Sequence, residues 1–178
     1  MTKEKNSSRR FFDSARVSKA VGILPIYLNK FIERKRYGIE PSVRAGEGRG
    51  SRRFFSEDDV YGIALVWWLF EGGLRSETIQ YVLNQICRGK KKATATEAAL
   101  ILREDDADIL AIKREPRIGL LKGEPYTEQD VILLFSEVGF FDLFEALGTE
   151  SLLFIPIENL FEKLKDSMQK YGVPVEIG

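Results

Sequence analysis

The chain has 178 residues, with 27 Lys+Arg balancing 27 Asp+Glu, one cysteine and no histidine. That length is enough for one ordinary domain or two small ones, and a chain of this size buries roughly 70% of its unfolded surface, so a core can form without covalent staples. The lone Cys87 excludes an intrachain disulfide and any thiolate cluster for zinc or iron–sulfur binding, while the lack of histidine removes His-based triads, imidazole metal ligands and the commonest general base.

The neutrality hides a division. Residues 1–92 carry 19 Lys+Arg against 10 Asp+Glu, and residues 93–178 carry 8 against 17. Such asymmetry suggests two jobs, one of them binding a polyanion; mutual attraction of the halves is the plainer alternative. The longest apolar run, "IALVWWLF" at 63–70, falls short of the ~20 residues that span a bilayer, and "MTKEKNSSRR" has no apolar secretory segment. The expectation is a soluble, cytoplasmic protein in a reducing compartment, with no membrane partner.

Residues 1–10 are polar and predict a disordered tail. Asp13 or Ser14 can cap a helix through "ARVSKAV", which Gly22 ends. Pro25 suits the first position of a second helix, "PIYLNKFIERKR", with Ile26, Leu28, Phe31 and Ile32 offering apolar contacts. Two helices joined this tightly make a helix-turn-helix candidate. Residues 38–53, "GIEPSVRAGEGRGSRR", hold four glycines and four arginines, which suits a short hairpin or solvated loop. Ser56 and Asp59 form a capping box for a helix in which Val60, Ile63, Ala64, Trp67 and Phe70 predict core positions. Gly72 and Gly73 end it. Ser76 is the expected cap of the next helix, whose buried stripe is Ile79, Val82, Leu83 and Ile86.

The basic stretch at 89–96 predicts a linker between domains. Beyond it, "AALILRE" and "ILAIKRE" suggest a hairpin turning at "EDDAD", although the first run could equally be a short helix. Thr127 is expected to open a helix through "EQDVILLFSEV", followed by a short helix "FFDLFEAL". "SLLFIPI" reads as a strand, "ENLFEKLKDSMQKY" as an amphipathic helix, and "VPVEI" as a terminal strand. Phe135, Phe140, Phe141, Phe144, Phe154 and Phe161 could line an apolar pocket for a small-molecule effector or fill a core. The acids at 104–108 lack the glycine and final glutamate of an EF-hand. No nucleophile–base pair, phosphate-cradling loop or catalytic carboxylate pair is identifiable. The expectation is no enzyme, no catalytic residue, no metal and no cofactor.

"FFDSARVSKAVGILPIYLNKFI" and "RRFFSEDDVYGIALVWWLFEGGLRSETIQYVL" together resemble the DNA-binding domain of the MerR (mercury-resistance regulator) family of bacterial transcription factors. Gly22, Pro25, Leu28, Phe31, Arg53, Phe55, Ser56, Glu57, Asp59, Gly73, Ser76 and Ile79 stand at matching places, over about residues 11–87. The resemblance implies a mainly helical winged helix-turn-helix over 11–88. With the strands, helices and acidic charge read beyond the linker, the expectation is an α+β protein whose small acidic α+β domain over 97–178 serves dimerisation, effector sensing or partner contact. The resemblance also implies that Tyr27, Asn29 and Lys30 face DNA bases and that Arg34 and Lys35 reach phosphates. Arg44, Arg49, Arg52 and Arg53 would be the wing cations that fix register on the backbone. Leu24 and Ile26 depart from the family's Ser and Arg, and no long dimerising helix follows. The implied partners are double-stranded DNA and a second copy, through the C-terminal domain or another surface. The competing reading is a protein-interaction or architectural module docking an acidic partner.

Overall fold

The computed structural model describes residues 10–45, 52–105, 109–113, 131–134 and 152–171. The protein is α+β. Six α-helices and two small antiparallel sheets are present among the described residues.

A short strand β1, Phe11–Asp13, precedes α1, Ser14–Val21. The Asp13 side chain caps α1 by accepting from the Arg16 amide at 2.9 Å. Gly22 closes it at φ 78, the left-handed conformation that glycine adopts without steric cost. Helix α2, Pro25–Glu33, follows with proline in its first turn. Strands β2, Val43–Ala45, and β3, Arg52–Ser56, pair antiparallel with Val43 opposite Phe54 and Arg44 opposite Arg53. The first sheet has the order β1-β3-β2, so β3 is central and Phe55 stands opposite Phe12. The strand β1 is not among the elements that the sequence predicts.

Helix α3, Glu57–Glu71, is the spine of the molecule. Every residue from Val60 to Trp67 is buried, so this helix meets other elements on all sides. Its start has the expected capping box: Ser56 Oγ accepts from the Asp59 amide at 3.2 Å, and Asp59 Oδ2 accepts from the Ser56 amide at 2.9 Å. Helix α4, Ser76–Ile86, buries Ile79, Val82, Leu83 and Ile86 as expected. Its N-cap is Arg75 rather than Ser76. Ser76 Oγ instead accepts from Arg36 Nη1 at 2.7 Å, tying the chain after α2 to the start of α4.

The stretch 89–96, expected as a linker, is a hydrogen-bonded turn and the start of a helix. Asn84 Oδ1 accepts from the Ala93 amide at 2.9 Å, and Gln80 Nε2 donates to the Ala93 carbonyl at 2.8 Å. "AALILRE", which suits either a hairpin strand or a short helix, is helical: α5 spans Ala95–Glu104, capped by Thr94 and Glu97. It packs along α3 in the same apolar core. Arg103 joins the pair, with Nη1 2.8 Å from Asp58 Oδ1 and its guanidinium 4.0 Å from the Tyr61 ring centroid.

The second sheet has the order β5-β4-β6. Its strands are β4, Ile109–Lys113, β5, Val131–Leu134, and β6, Leu152–Pro156. β6 is the expected strand, whereas Val131–Leu134 is extended where a helix from Thr127 was expected. Four consecutive apolar residues suit either state, and pairing with β4 decides for the strand. Leu110 stands opposite Ile155 in the register, and both are buried. Helix α6, Ile157–Tyr171, buries Ile157, Phe161, Leu164 and Met168, the stripe its periodicity requires. It lies against α1 and α3, with the Phe161 ring centroid 5.1 Å from Tyr61 and 5.7 Å from Trp68. One apolar core therefore runs from the first half into the second.

The expected tail, apart from Arg10, and the Thr127 cap lie outside the described residues. So do the 140–148 helix, the 173–177 strand, residues 106–108, and Phe135, Phe140, Phe141 and Phe144.

Candidate nucleic-acid interface

Helix α2 sorts its residues cleanly. Leu28, Phe31 and Ile32 enter the core, while Pro25, Ile26, Asn29, Lys30 and Glu33 are exposed. Residues three and four apart share a face, so Ile26, Asn29, Lys30 and Glu33 form one outward group. The apolar contact expected of Ile26 is absent: the side chain is 59% exposed.

Tyr27, placed among the base-facing residues by the resemblance, lies on the flank of α2. Its ring is half-buried, 5.4 Å from Trp67 and 5.6 Å from Phe70 between centroids. Lys30 Nζ sits 5.6 Å from the Tyr27 centroid, a cation–π contact that steadies the ammonium at the helix surface. Phe70, expected in the core, is 37% exposed and forms the rim of this aromatic cluster.

Beyond α2 the two cations differ. Arg34 is the exposed C-cap. Lys35 is exposed but has its Nζ 3.1 Å from Glu40 Oε1, so part of its charge is satisfied within the chain. The sheet brings Arg44 and Arg53 together as register partners, with Arg52 one position earlier, at the start of β3. Arg52 is exposed, Arg53 and Phe54 are half-buried, and Phe55 is fully buried. Arg49 lies outside the described residues. Among the described residues, no carboxylate forms an ion pair with Lys30, Arg34, Arg52 or Arg53.

Asp59 holds the base of this region to the body. Besides closing the α3 cap, its carboxylate accepts from the Ser42 hydroxyl just before β2 and from Thr96 Oγ1 of α5 at 3.3 Å. One side chain thus joins the approach to β2, the start of α3 and the first turn of α5. Asp59→Ala should lower stability by about 2 kcal/mol, because it removes the carboxylate half of the capping box and leaves the part-buried Ser56 amide and Thr96 hydroxyl without their acceptor. A thermal midpoint equal to that of the parent would contradict this role.

At the far end of α4, Arg88, Lys91 and Lys92 are exposed, while Lys90 Nζ meets Glu97 Oε1 at 2.5 Å. That hydrogen bond, with the Thr94 amide as a second donor, holds the Glu97 carboxyl below its usual range. Cys87 is buried, and desolvation pushes its thiol up, which suppresses the reactive thiolate.

Among the described residues there is no group of three or more side chains able to hold a metal ion, and no helix long and apolar enough to cross a membrane. Two features go beyond what the sequence predicts: the exposure of the aliphatic pair Leu24 and Ile26, and the convergence of Ser42, Ser56 and Thr96 on Asp59. The first has a local signal in helical phase, since Ile26 precedes Asn29 and Lys30 by three and four residues. The second joins segments up to 54 residues apart and has no local signal. No family model matches the chain, and no curated protein matches it.

Proposed function

We propose that this protein is a DNA-binding transcriptional regulator, with its N-terminal part forming a winged helix-turn-helix of the MerR type. In this reading α2 enters the major groove, the β2–β3 ribbon lies along the phosphate backbone, and the acidic C-terminal part serves assembly or signal input. The observation that carries it is the state of the cations. Lys30 on α2, Arg34 at its C-cap, and Arg52 and Arg53 on β3 are exposed or half-exposed without a carboxylate partner among the described residues. Unpaired guanidinium and ammonium groups beside an exposed helix face are what phosphate contact and groove entry require.

The division of labour along β3 fits the same reading. Phe55 fixes the strand in the core, and the arginines two and three residues earlier remain available to a polyanion. Dimerisation, needed to read paired half-sites, would use a surface other than a helix extending from α4, since α5 turns back along α3.

Fluorescence anisotropy with duplex DNA across a salt series tests the proposal. Neutralising Z phosphates produces a log–log slope near −0.9Z. Arg53→Ala and Lys30→Ala should each weaken binding about tenfold, and a lost phosphate contact should reduce the slope by roughly one. Variants that bind as well as the parent, with the same slope, would contradict the assignment.

A further inference from the structure

The outward face of α2 carries one cation, Lys30, and one acid, Glu33, together with apolar surface, and the exposed Arg34 follows at its C-cap. Leu24 is 58% exposed and Ile26 59%. Leu24 is the N-cap of α2 and makes no side-chain cap hydrogen bond, although Ser, Thr, Asp or Asn there would satisfy an orphan amide. Ile26 occupies the first turn, on the face of Asn29 and Lys30 and away from the buried Leu28, Phe31 and Ile32. Neither side chain is needed by the core. Both sit at the end of the helix that meets base edges when a helix-turn-helix docks.

The fitting ligand is anionic yet presents small apolar groups at the depth the first turn reaches. The major groove of duplex DNA offers one such group, the thymine C5 methyl, and apolar side chains recognise it. Asn29, one turn on, has the donor–acceptor pair that matches adenine N6 and N7. We infer that Leu24 and Ile26 are specificity-determining residues that contact thymine methyl groups, making A·T pairs the bases read by the start of α2. This rests on the DNA-binding reading above and identifies its base preference. Lys30, steadied over Tyr27, supplies the neighbouring positive charge without needing to enter the groove floor.

The full chain is used to select duplexes from a randomised library, and the selected duplex is remade with deoxyuridine for thymidine, a change that removes only the C5 methyl. The expected result is A·T pairs in each selected site and a loss of about fourfold in affinity per contacted methyl. A Leu24→Ala/Ile26→Ala variant, with a thermal midpoint equal to the parent's, should bind the thymine and uracil duplexes equally. Equal binding by the parent, or undiminished discrimination by the variant, overturns the inference and leaves the proposed function standing. Failure to select any duplex overturns the proposed function and this inference with it.

Discussion

Gly62→Ala should destabilise the protein by about 2 kcal/mol, the reverse of what helix propensity alone predicts. In an exposed helix interior, replacing glycine with alanine gains roughly 1 kcal/mol. Gly62 lies instead where α3 crosses the start of α5. A Cβ there would come within 2.7 Å of the Thr96 nitrogen, 2.8 Å of the Ala95 carbonyl carbon and 2.9 Å of the Thr96 Cα. These are backbone atoms, so no rotamer change relieves the overlap, and α5 must retreat. Retreat strains the Asp59–Thr96 hydrogen bond and loosens Ala95, Ala98, Ala99 and Leu102, all buried. Overpacking of this kind costs about 1–3 kcal/mol. For a chain of this length, a net loss of about 2 kcal/mol lowers the thermal midpoint by roughly 4–8 °C. A midpoint equal to or above the parent's would mean that the two helices do not approach this closely.

The same crossing marks the limit of what can be read before folding. Caps and helix phase are local: Asp13, Gly22, Pro25 and the Ser56–Asp59 box define α1, α2 and the start of α3, and the apolar stripe of α6 appears in the structure as written. Thr94 and Glu97 stand three apart in the same capping-box pattern, a local sign of α5 set just before the continuous apolar run of "AALILRE", which by itself suits either state. Partner choice is different. Phe11–Asp13 becomes a strand only because β3, over forty residues later, supplies its hydrogen bonds. Val131–Leu134 is likewise extended because β4 lies beside it. A short apolar run takes its conformation from its neighbour, and that information is absent from the run itself. At the candidate interface, residue types were legible but not their roles. Tyr27 and Ile26 are adjacent, yet helical phase sends the aromatic ring to a packed flank and the aliphatic chain to solvent.

The adjacent residues "RRFF" offer the second large effect, since burial rises along β3 from exposed Arg52 through half-buried Arg53 to fully buried Phe55. Phe55 and its register partner Phe12 have no solvent exposure, and together they join β1 and β3 to the core. Phe55→Ala should cost about 3–5 kcal/mol, the sum of lost apolar transfer and a cavity that a central strand cannot collapse to fill. That is a large share of the 5–15 kcal/mol by which domains are usually stable, so the urea midpoint should fall steeply. Because Ser56 follows directly, loosening of β3 should also disturb the α3 cap and reduce helical signal early in the transition. Arg53→Ala, two residues earlier and half-exposed, should change stability by less than about 0.5 kcal/mol while weakening DNA binding. Urea unfolding followed by circular dichroism and tryptophan fluorescence separates the cases. A Phe55→Ala loss below about 1 kcal/mol would mean that β3 is not anchored there, whereas a comparable loss for Arg53→Ala would assign that arginine to the fold rather than to a ligand.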